Sequence, residues 1–253
     1  MTHFIYSTDP HGAGADWIAK VTQACEAYPS AQVVFGGDYI DRGKYSLETL
    51  NFVKYMVEEK AAVALLGNHE QLMLSALDED LGALDLWSLN GGTATIQSFL
   101  GKHLIEAING SMVDTILAYQ GDLVNFVRSL PTYYTTDHIY FTHAGLDLSL
   151  PNPEDTDDED KLWIRNSYIY DDNGRDFRHN SLDKVIVTGH TPTSYISGEL
   201  DGEVISGGSD NEVLVIGYEG ERHRIFADGG AAGGASAGHV LVLDEYGYIT
   251  EIL

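Results

Sequence analysis

Five short segments of the chain carry residue types that bind divalent metals and phosphate. They are Asp9-Pro10-His11-Gly12, Gly37-Asp38-Tyr39-Ile40-Asp41-Arg42-Gly43, Gly67-Asn68-His69-Glu70, Thr142-His143-Ala144-Gly145 and Gly189-His190-Thr191. An Asp in a turn is ordinarily a turn former and a lone His a satisfied polar residue, so no single segment decides anything. Taken in order they supply Asp9, His11, Asp38, Asn68, His143 and His190. Carboxylate, amide oxygen and imidazole with no thiolate suit Mn²⁺, Fe, Zn²⁺ or Co²⁺ better than Ca²⁺. Six such donors are too many for one open catalytic ion. They suit two ions about 3.5–4 Å apart, the arrangement that supports in-line displacement at phosphorus.

Each segment follows an apolar stretch that reads as a buried strand: Phe4-Ile5-Tyr6, Val33-Val34-Phe35, Val63-Ala64-Leu65-Leu66, Ile139-Tyr140-Phe141 and Val185-Ile186-Val187. All five therefore sit just past a strand's carboxyl end, where open α/β sheets gather residues distant in sequence. Helices are expected near 16–28, 46–59 and 70–78, which makes the first part βαβαβα. The stretch from Leu81 to Leu130 reads as helical, with Ile116, Leu117, Leu123, Phe126 and Val127 as its packing face. Further strands are expected at 132–136, 139–142, 185–188, 204–206, 213–216, 223–227, 240–243 and 248–252. The pattern predicts an α/β fold in which two mixed sheets pack as a sandwich with helices outside, in a single domain spanning 1–253. Residues 151–160 read as an acidic, proline-containing loop that either shields the site or simply connects elements.

Composition narrows the partners. The 253 residues are 43% hydrophobic, enough for a large core. With 14 Lys and Arg against 39 Asp and Glu, the formal net charge is −25. That disfavours nucleic acid and anionic membranes, which bind through clustered cations. A phosphate substrate would need a local cationic centre from bound ions and a few arginines. Cys25 is the only cysteine, so an intrachain disulfide and a thiolate metal cluster are both excluded, and it is expected to pack one side of a helix. Met1 to Ser7 enters a strand with no leader-like region, and no apolar run could span a bilayer, so a cytoplasmic location is expected.

The series Asp9-x-His11-Gly12, Gly37-Asp38-x-x-Asp41-Arg42-Gly43, Gly67-Asn68-His69-Glu70, His143 and Gly189-His190 resembles the signature of the phosphoprotein phosphatase (PPP) branch of calcineurin-like metallophosphoesterases. Asp228-Gly229-Gly230 is similar to the family's late glycine-containing element. The resemblance implies that Asp9, His11 and Asp38 hold a first ion and Asn68, His143 and His190 a second, with Asp38 bridging. It implies a general acid at His69 backed by Asp41, phosphate clamping by Arg42, and a second phosphate contact from Arg165 in Leu162-Trp163-Ile164-Arg165. The implied fold is the αββα metallophosphoesterase fold, and the implied ions are Mn²⁺ first, with Fe, Zn²⁺ or Co²⁺ as alternatives.

The implied activity is hydrolysis of phosphoserine and phosphothreonine, with tolerance for phosphotyrosine, by in-line attack of a hydroxide lying between the ions. A phosphoprotein or phosphopeptide is the expected partner, and no obligatory regulatory subunit is evident. Two rivals remain. Leu66 stands where many protein phosphatases of the family have Arg, which resembles symmetrical diadenosine tetraphosphate hydrolases, although those typically lack a carboxylate at the position of Asp41. A noncatalytic metal-binding scaffold is the other, and it has no use for Asp41 and His69.

Overall fold

The structure is a computed structural model describing residues 2–78, 80, 82–233 and 237–253. Strand β1 (His3–Ser7) leads to α1 (Ala15–Ala27), β2 (Gln32–Phe35), α2 (Ser46–Lys60), the two-residue β3 (Val63–Ala64) and α3 (Asn68–Leu77). Four helices follow: α4 (Ala83–Trp87), α5 (Thr93–Leu100), α6 (Leu104–Asn109) and α7 (Met112–Arg128). A π-helical turn, Ser88–Gly92, joins α4 to α5. Next come β4 (Tyr133–Thr135), β5 (Ile139–Thr142), the short helices α8 (Asp158–Trp163) and α9 (Asn166–Ile169), and β6 (Val185–Thr188). The chain ends with β7 (Ser197–Leu200), β8 (Glu203–Ser206), β9 (Leu214–Ile216), β10 (Arg224–Phe226), β11 (Val240–Asp244) and β12 (Ile249–Ile252).

Ten of the strands form two mixed five-stranded sheets. The first has the order β12-β11-β1-β2-β3, with β1, β2 and β3 parallel and β11 and β12 antiparallel at one side. The second has the order β4-β5-β6-β10-β9, with a parallel centre and an antiparallel strand at each edge. Strands β7 and β8 pair separately as a hairpin.

Side-chain alternation explains the layers. Phe4, Tyr6 and Val34 from the first sheet meet Phe141, Val187 and Ile225 from the second in an apolar layer between them. The alternate residues of the first sheet, Ile5, Val33 and Phe35, turn outward beneath Trp17 and Val21 of α1 and Leu50 and Val53 of α2. On the far side, Tyr140, Ile186 and Phe226 are covered by Tyr168 and Ile169 of α9 with Phe177. Strands buried on both faces read as unbroken apolar runs, which is why they stand out in the sequence.

Several expectations change in detail. The third strand stops at Ala64, and Leu65 only continues the pairing, its N–H donating to Phe35 O at 2.8 Å. Leu81, the expected start of the helical middle, lies outside the described residues. Leu117 is 40% exposed and does not join the packing face of α7. That helix departs from helical geometry at Gln120, whose side chain donates to Phe99 O at 2.9 Å. Residues 151–160 are not all loop: Pro153–Asp155 forms a 3₁₀ turn and α8 starts at Asp158. The segment is tied down by a Lys184–Glu154 ion pair at 2.8 Å and a Thr132 hydroxyl bond to Asp158 at 2.7 Å. Strand β7 was not anticipated, because Ser197-Gly198-Glu199-Leu200 has no apolar run. Cys25 is half-buried and packs against the helical core from α1, as expected. No described helix is long and apolar enough to cross a membrane.

Phe141 tests the layer between the sheets. Its ring is fully buried, with centroids 5.7 Å from Phe4, 5.6 Å from Tyr6 and 6.0 Å from Tyr134. Phe141→Ala should lower the unfolding free energy by about 3–5 kcal/mol in urea titrations, and a loss below about 1 kcal/mol would contradict this packing.

Candidate metal centre

Strand ends bring the sequence motifs together. Asp9 and His11 follow β1, Asp38 follows β2, Asn68 opens α3 just beyond β3, and His143 and His190 follow β5 and β6. All six side chains are buried. Among the described residues, nine non-glycine residues have positive φ, and six of them are here: Asp9, His11, Asp38, Asp41, Arg42 and His190. Such conformations cost of order 1–3 kcal/mol each and persist only where the surroundings enforce them. The enforcement is visible. The loops after β1 and β2 are zipped together by backbone N–H donation from Asp9 to Gly37 O (3.0 Å), His11 to Asp38 O (3.0 Å) and Gly12 to Tyr39 O (2.9 Å). Gly189 lets the loop after β6 close onto Asp9, since a Cβ there would lie 2.0 Å from Asp9 Oδ2.

The histidines present lone pairs to the centre. His11 Nδ1 lies 2.9 Å from Ile40 O, which can only accept, so Nδ1 carries the hydrogen and Nε2 faces Asp38 Oδ2 at 3.5 Å with a lone pair. His143 repeats the arrangement: Nδ1 donates to Gly36 O at 2.8 Å, while Nε2 faces Asn68 Oδ1 at 2.9 Å and Asp38 Oδ1 at 3.4 Å. His190 Nδ1 lies 2.8 Å from the same Asn68 oxygen, and its buried Nε2 has no hydrogen-bond partner. Lone pairs facing oxygen lone pairs repel unless a cation lies between them. A second ring proton does not serve at His11, whose pKa burial lowers to about 3. Burial also holds His190 well below the ordinary range, so its neutral ring has one hydrogen, which Nδ1 can donate to Asn68 Oδ1, leaving the lone pair on the unpartnered Nε2. Burial acts to raise Asp38, but positive charge at the surrounding histidine positions, His143 foremost, outweighs it and holds the carboxyl below its usual range.

These donors fit divalent ions: neutral imidazoles, an ionised carboxylate and an amide oxygen, with ring N–H groups anchored on backbone carbonyls. Donor atoms of His11, Asp38 and His69 lie within 4.8 Å of one another, as do those of Asp38, His143 and His190, so Asp38 is common to both groups. Asp9 belongs to neither. Its carboxylate accepts the His190 backbone N–H at 3.0 Å and the Thr8 hydroxyl at 2.6 Å. Burial, with the nearby Asp38 charge, raises Asp9 to about 6, against a lowering by His143.

Beside this cluster, His69 Nδ1 donates to Asp41 Oδ2 at 2.7 Å. Its Nε2 lies 3.1 Å from Arg42 Nη2 and 3.9 Å from Asp38 Oδ2. Burial lowers the His69 pKa, but Asp38 and Asp41 overcome this and the net shift is upward. Arg165 Nη1 donates to His190 O at 3.2 Å and Thr191 Oγ1 at 3.1 Å. Arg42, His69, Arg165 and His190 all line a cleft of about 450 Å³, together with Tyr195 and Asn211. Residues 151–160 are not among the residues that line it. Leu66 packs against the helical core and supplies no cation there.

Sequence reading undervalued Glu70. Its carboxylate, fully buried, accepts backbone N–H groups from Asp38 (2.8 Å), Tyr39 (2.8 Å), Ile40 (3.3 Å) and Gly67 (3.1 Å). Burial and then the Asp38 charge raise its pKa, while these N–H donors favour the ionised form. Glu70 thus ties the first turn of α3 to the Asp38 loop. The only sequence signal was its place next to His69. Asp228 is also buried, its Oδ1 accepting the Gly230 N–H at 2.8 Å at the edge of the cleft.

The sequence profile of the calcineurin-like phosphoesterase family matches residues 2–216. A serine/threonine-protein phosphatase 6 catalytic subunit from Caenorhabditis elegans is 26% identical over 159 residues, 62% of this chain and 47% of that protein. The match thus spans about half the length of that relative. Among solved structures, a putative diadenosine tetraphosphatase superposes with a TM-score of 0.55 at 16% identity, covering 99% of this chain and 92% of its own. A cold-active protein-tyrosine phosphatase of a psychrophilic Shewanella species gives 0.55 at 17% identity, covering 96% of this chain and 76% of its own. At such identities the likeness is one of fold.

Glu70→Gln would turn an amide NH₂ toward N–H groups that now bond to carboxylate oxygens. It should lower stability by about 2–3 kcal/mol in urea titrations. A change below about 0.5 kcal/mol would show that the clamp is not a significant constraint.

Proposed function

Because the chain belongs to the calcineurin-like phosphoesterase family, we propose that it is a metal-dependent phosphomonoesterase of phosphoserine and phosphothreonine, with tolerance for phosphotyrosine. The observation that carries this reading is the 2.7 Å contact of His69 with the buried Asp41, beside Arg42. A metal-holding scaffold has no need of an imidazole backed by a carboxylate at the mouth of its site. In this reading residues 1–253 act as one catalytic domain.

Asp9, His11 and Asp38 would hold one ion and Asn68, His143 and His190 the other, with Asp38 shared. Mn²⁺ is the first choice, with Fe, Zn²⁺ or Co²⁺ as alternatives. When bound, such ions supply a nucleophile at neutral pH and neutralise phosphoryl charge. Arg42 and Arg165 orient the substrate, because a guanidinium matches two phosphate oxygens in one plane. Asp41 holds the hydrogen on His69 Nδ1 and, with Asp38, favours a second proton on the ring, which Nε2 hands to the departing oxygen.

An alkoxide from serine or threonine is a far poorer leaving group than a nucleotide, so this dyad is worth most to a protein phosphatase. The net charge of −25 also favours a peptide bearing one phosphate over an anionic dinucleotide. The serine/threonine-protein phosphatase among the relatives supports the same class.

Two measurements test the reading. Metal-reconstituted protein should show a higher kcat/KM on phosphoserine or phosphothreonine peptides than on diadenosine tetraphosphate, with activity lost to chelator and restored by Mn²⁺. A tenfold preference for the dinucleotide, about 1.4 kcal/mol in transition-state stabilisation, would reverse the assignment. In the second, His69→Asn should retain its metal while kcat on the peptide falls by about 10²–10⁴, with a much smaller fall on 4-nitrophenyl phosphate. Equal losses on the two substrates would remove His69 as the acid.

A further inference from the structure

The carboxylate of Asp41 has more partners than His69. Trp87, at the end of α4, directs its indole N–H at both oxygens, 3.0 Å from Oδ1 and 3.1 Å from Oδ2. Thr95, in the first turn of α5, donates its hydroxyl to Oδ1 at 2.6 Å and accepts the Asp41 backbone N–H at 2.8 Å. Asp41, Trp87 and Thr95 are all completely buried. The π-helical turn between them, Ser88–Gly92, also reaches the neighbouring residue, since Gly91 O accepts the Arg42 N–H at 3.2 Å. Gly92 packs so closely on the indole that an added Cβ would lie 2.7 Å from three of its ring atoms. One helical segment therefore grips both Asp41 and Arg42.

We propose that Trp87 and Thr95 are positioning residues for the reaction: they fix the orientation of the Asp41 carboxylate and, through it, the direction in which His69 presents Nε2 to the leaving oxygen. A buried carboxylate with one partner could rotate about its Cβ–Cγ bond and carry the imidazole with it. An indole N–H can only donate, and shared between the two oxygens it fixes the carboxylate plane. The Thr95 hydroxyl fixes the same group from its other side while tying it to the Asp41 backbone. The lone pair remaining on Oδ2 is then aimed at His69 Nδ1. Misplacing a catalytic group by about 1 Å costs up to about 10²-fold in rate, so the geometry held here has catalytic value. The two residues lie 46 and 54 positions from Asp41, on a segment that contributes no donor to the metal cluster.

The inference rests on His69 acting as the acid, and the test separates the two claims. Trp87→Phe keeps an aromatic ring and removes the N–H. Thr95→Val removes the hydroxyl at constant shape, and Thr95→Ser restores it. Each is assayed as Mn²⁺-loaded protein of verified metal content, on a phosphoseryl peptide and on 4-nitrophenyl phosphate. Expected are about tenfold or greater losses of kcat on the peptide for Trp87→Phe and Thr95→Val, with less than about threefold on the aryl ester. Thr95→Ser should recover most of the peptide activity, and Trp87→Phe should add no further loss to His69→Asn. If Trp87→Phe does not fold, the Val and Ser pair decides. Losses equal on both substrates, or unchanged peptide turnover with His69→Asn still selective, would overturn the positioning role. A His69→Asn variant showing no leaving-group selectivity would instead overturn the acid assignment itself.

Discussion

The Asp38 carboxylate is the point to which the other side chains of the centre are referred. Oδ1 accepts the His69 backbone N–H at 3.0 Å and faces His143 Nε2, while Oδ2 faces His11 Nε2 and, more distantly, His69 Nε2. A buried anion surrounded by imidazole lone pairs is tolerable only if positive charge is supplied and the backbone is held against relaxing. The second requirement is met by Glu70, which bonds the N–H of Asp38 itself and of the next two residues. Moving Asp38 by a fraction of an ångström would disturb contacts originating from β2, α3 and β5 together.

Much of this was legible in the sequence because the rules involved are local. Strands buried on both faces leave apolar runs, and the residue types that follow those runs name the chemistry. The two-sheet sandwich, most element boundaries and the convergence of Asp38, His143 and His190 come from those two facts. What escaped has no periodic signature. The Trp87 and Thr95 contacts to Asp41 join residues about fifty positions apart, and Trp87 reads as core in any helical stretch. Strand β7 is polar, and its hairpin is made by pairing with β8 rather than by its own composition. Residues 151–160 look like a loop because Pro and Asp are turn formers, yet the same residues cap short helices: Asp157 accepts the Asp160 N–H at 2.8 Å. Leu117 was read as part of the packing face, yet it is 40% exposed, three residues before the distortion at Gln120.

Strain is concentrated where the chemistry is. Left-handed Asp, His and Arg residues, paid for by the zipper between the β1 and β2 loops and by the Glu70 clamp, give up stability that an idealised turn would keep. In return the side chains of Asp9, His11, Asp38 and Asp41 leave a short stretch of chain in directions that an extended backbone does not offer.

The distribution of the donors over the two sheets has a mechanical consequence. Asp9, His11, Asp38 and Asn68 hang from the carboxyl ends of the first sheet, whereas His143 and His190 hang from the second. The seam between the sheets is largely apolar, crossed by a few hydrogen bonds such as His143 Nδ1 to Gly36 O at 2.8 Å and His223 Nε2 to Gly247 O at 3.1 Å. A cation held jointly by both sets is a clasp across that seam, one that the separated strands cannot form. Its binding free energy therefore adds to the cohesion of the sandwich. With an ion so held, resistance to unfolding would become a function of the free metal concentration, and starvation for the ion would loosen the two halves.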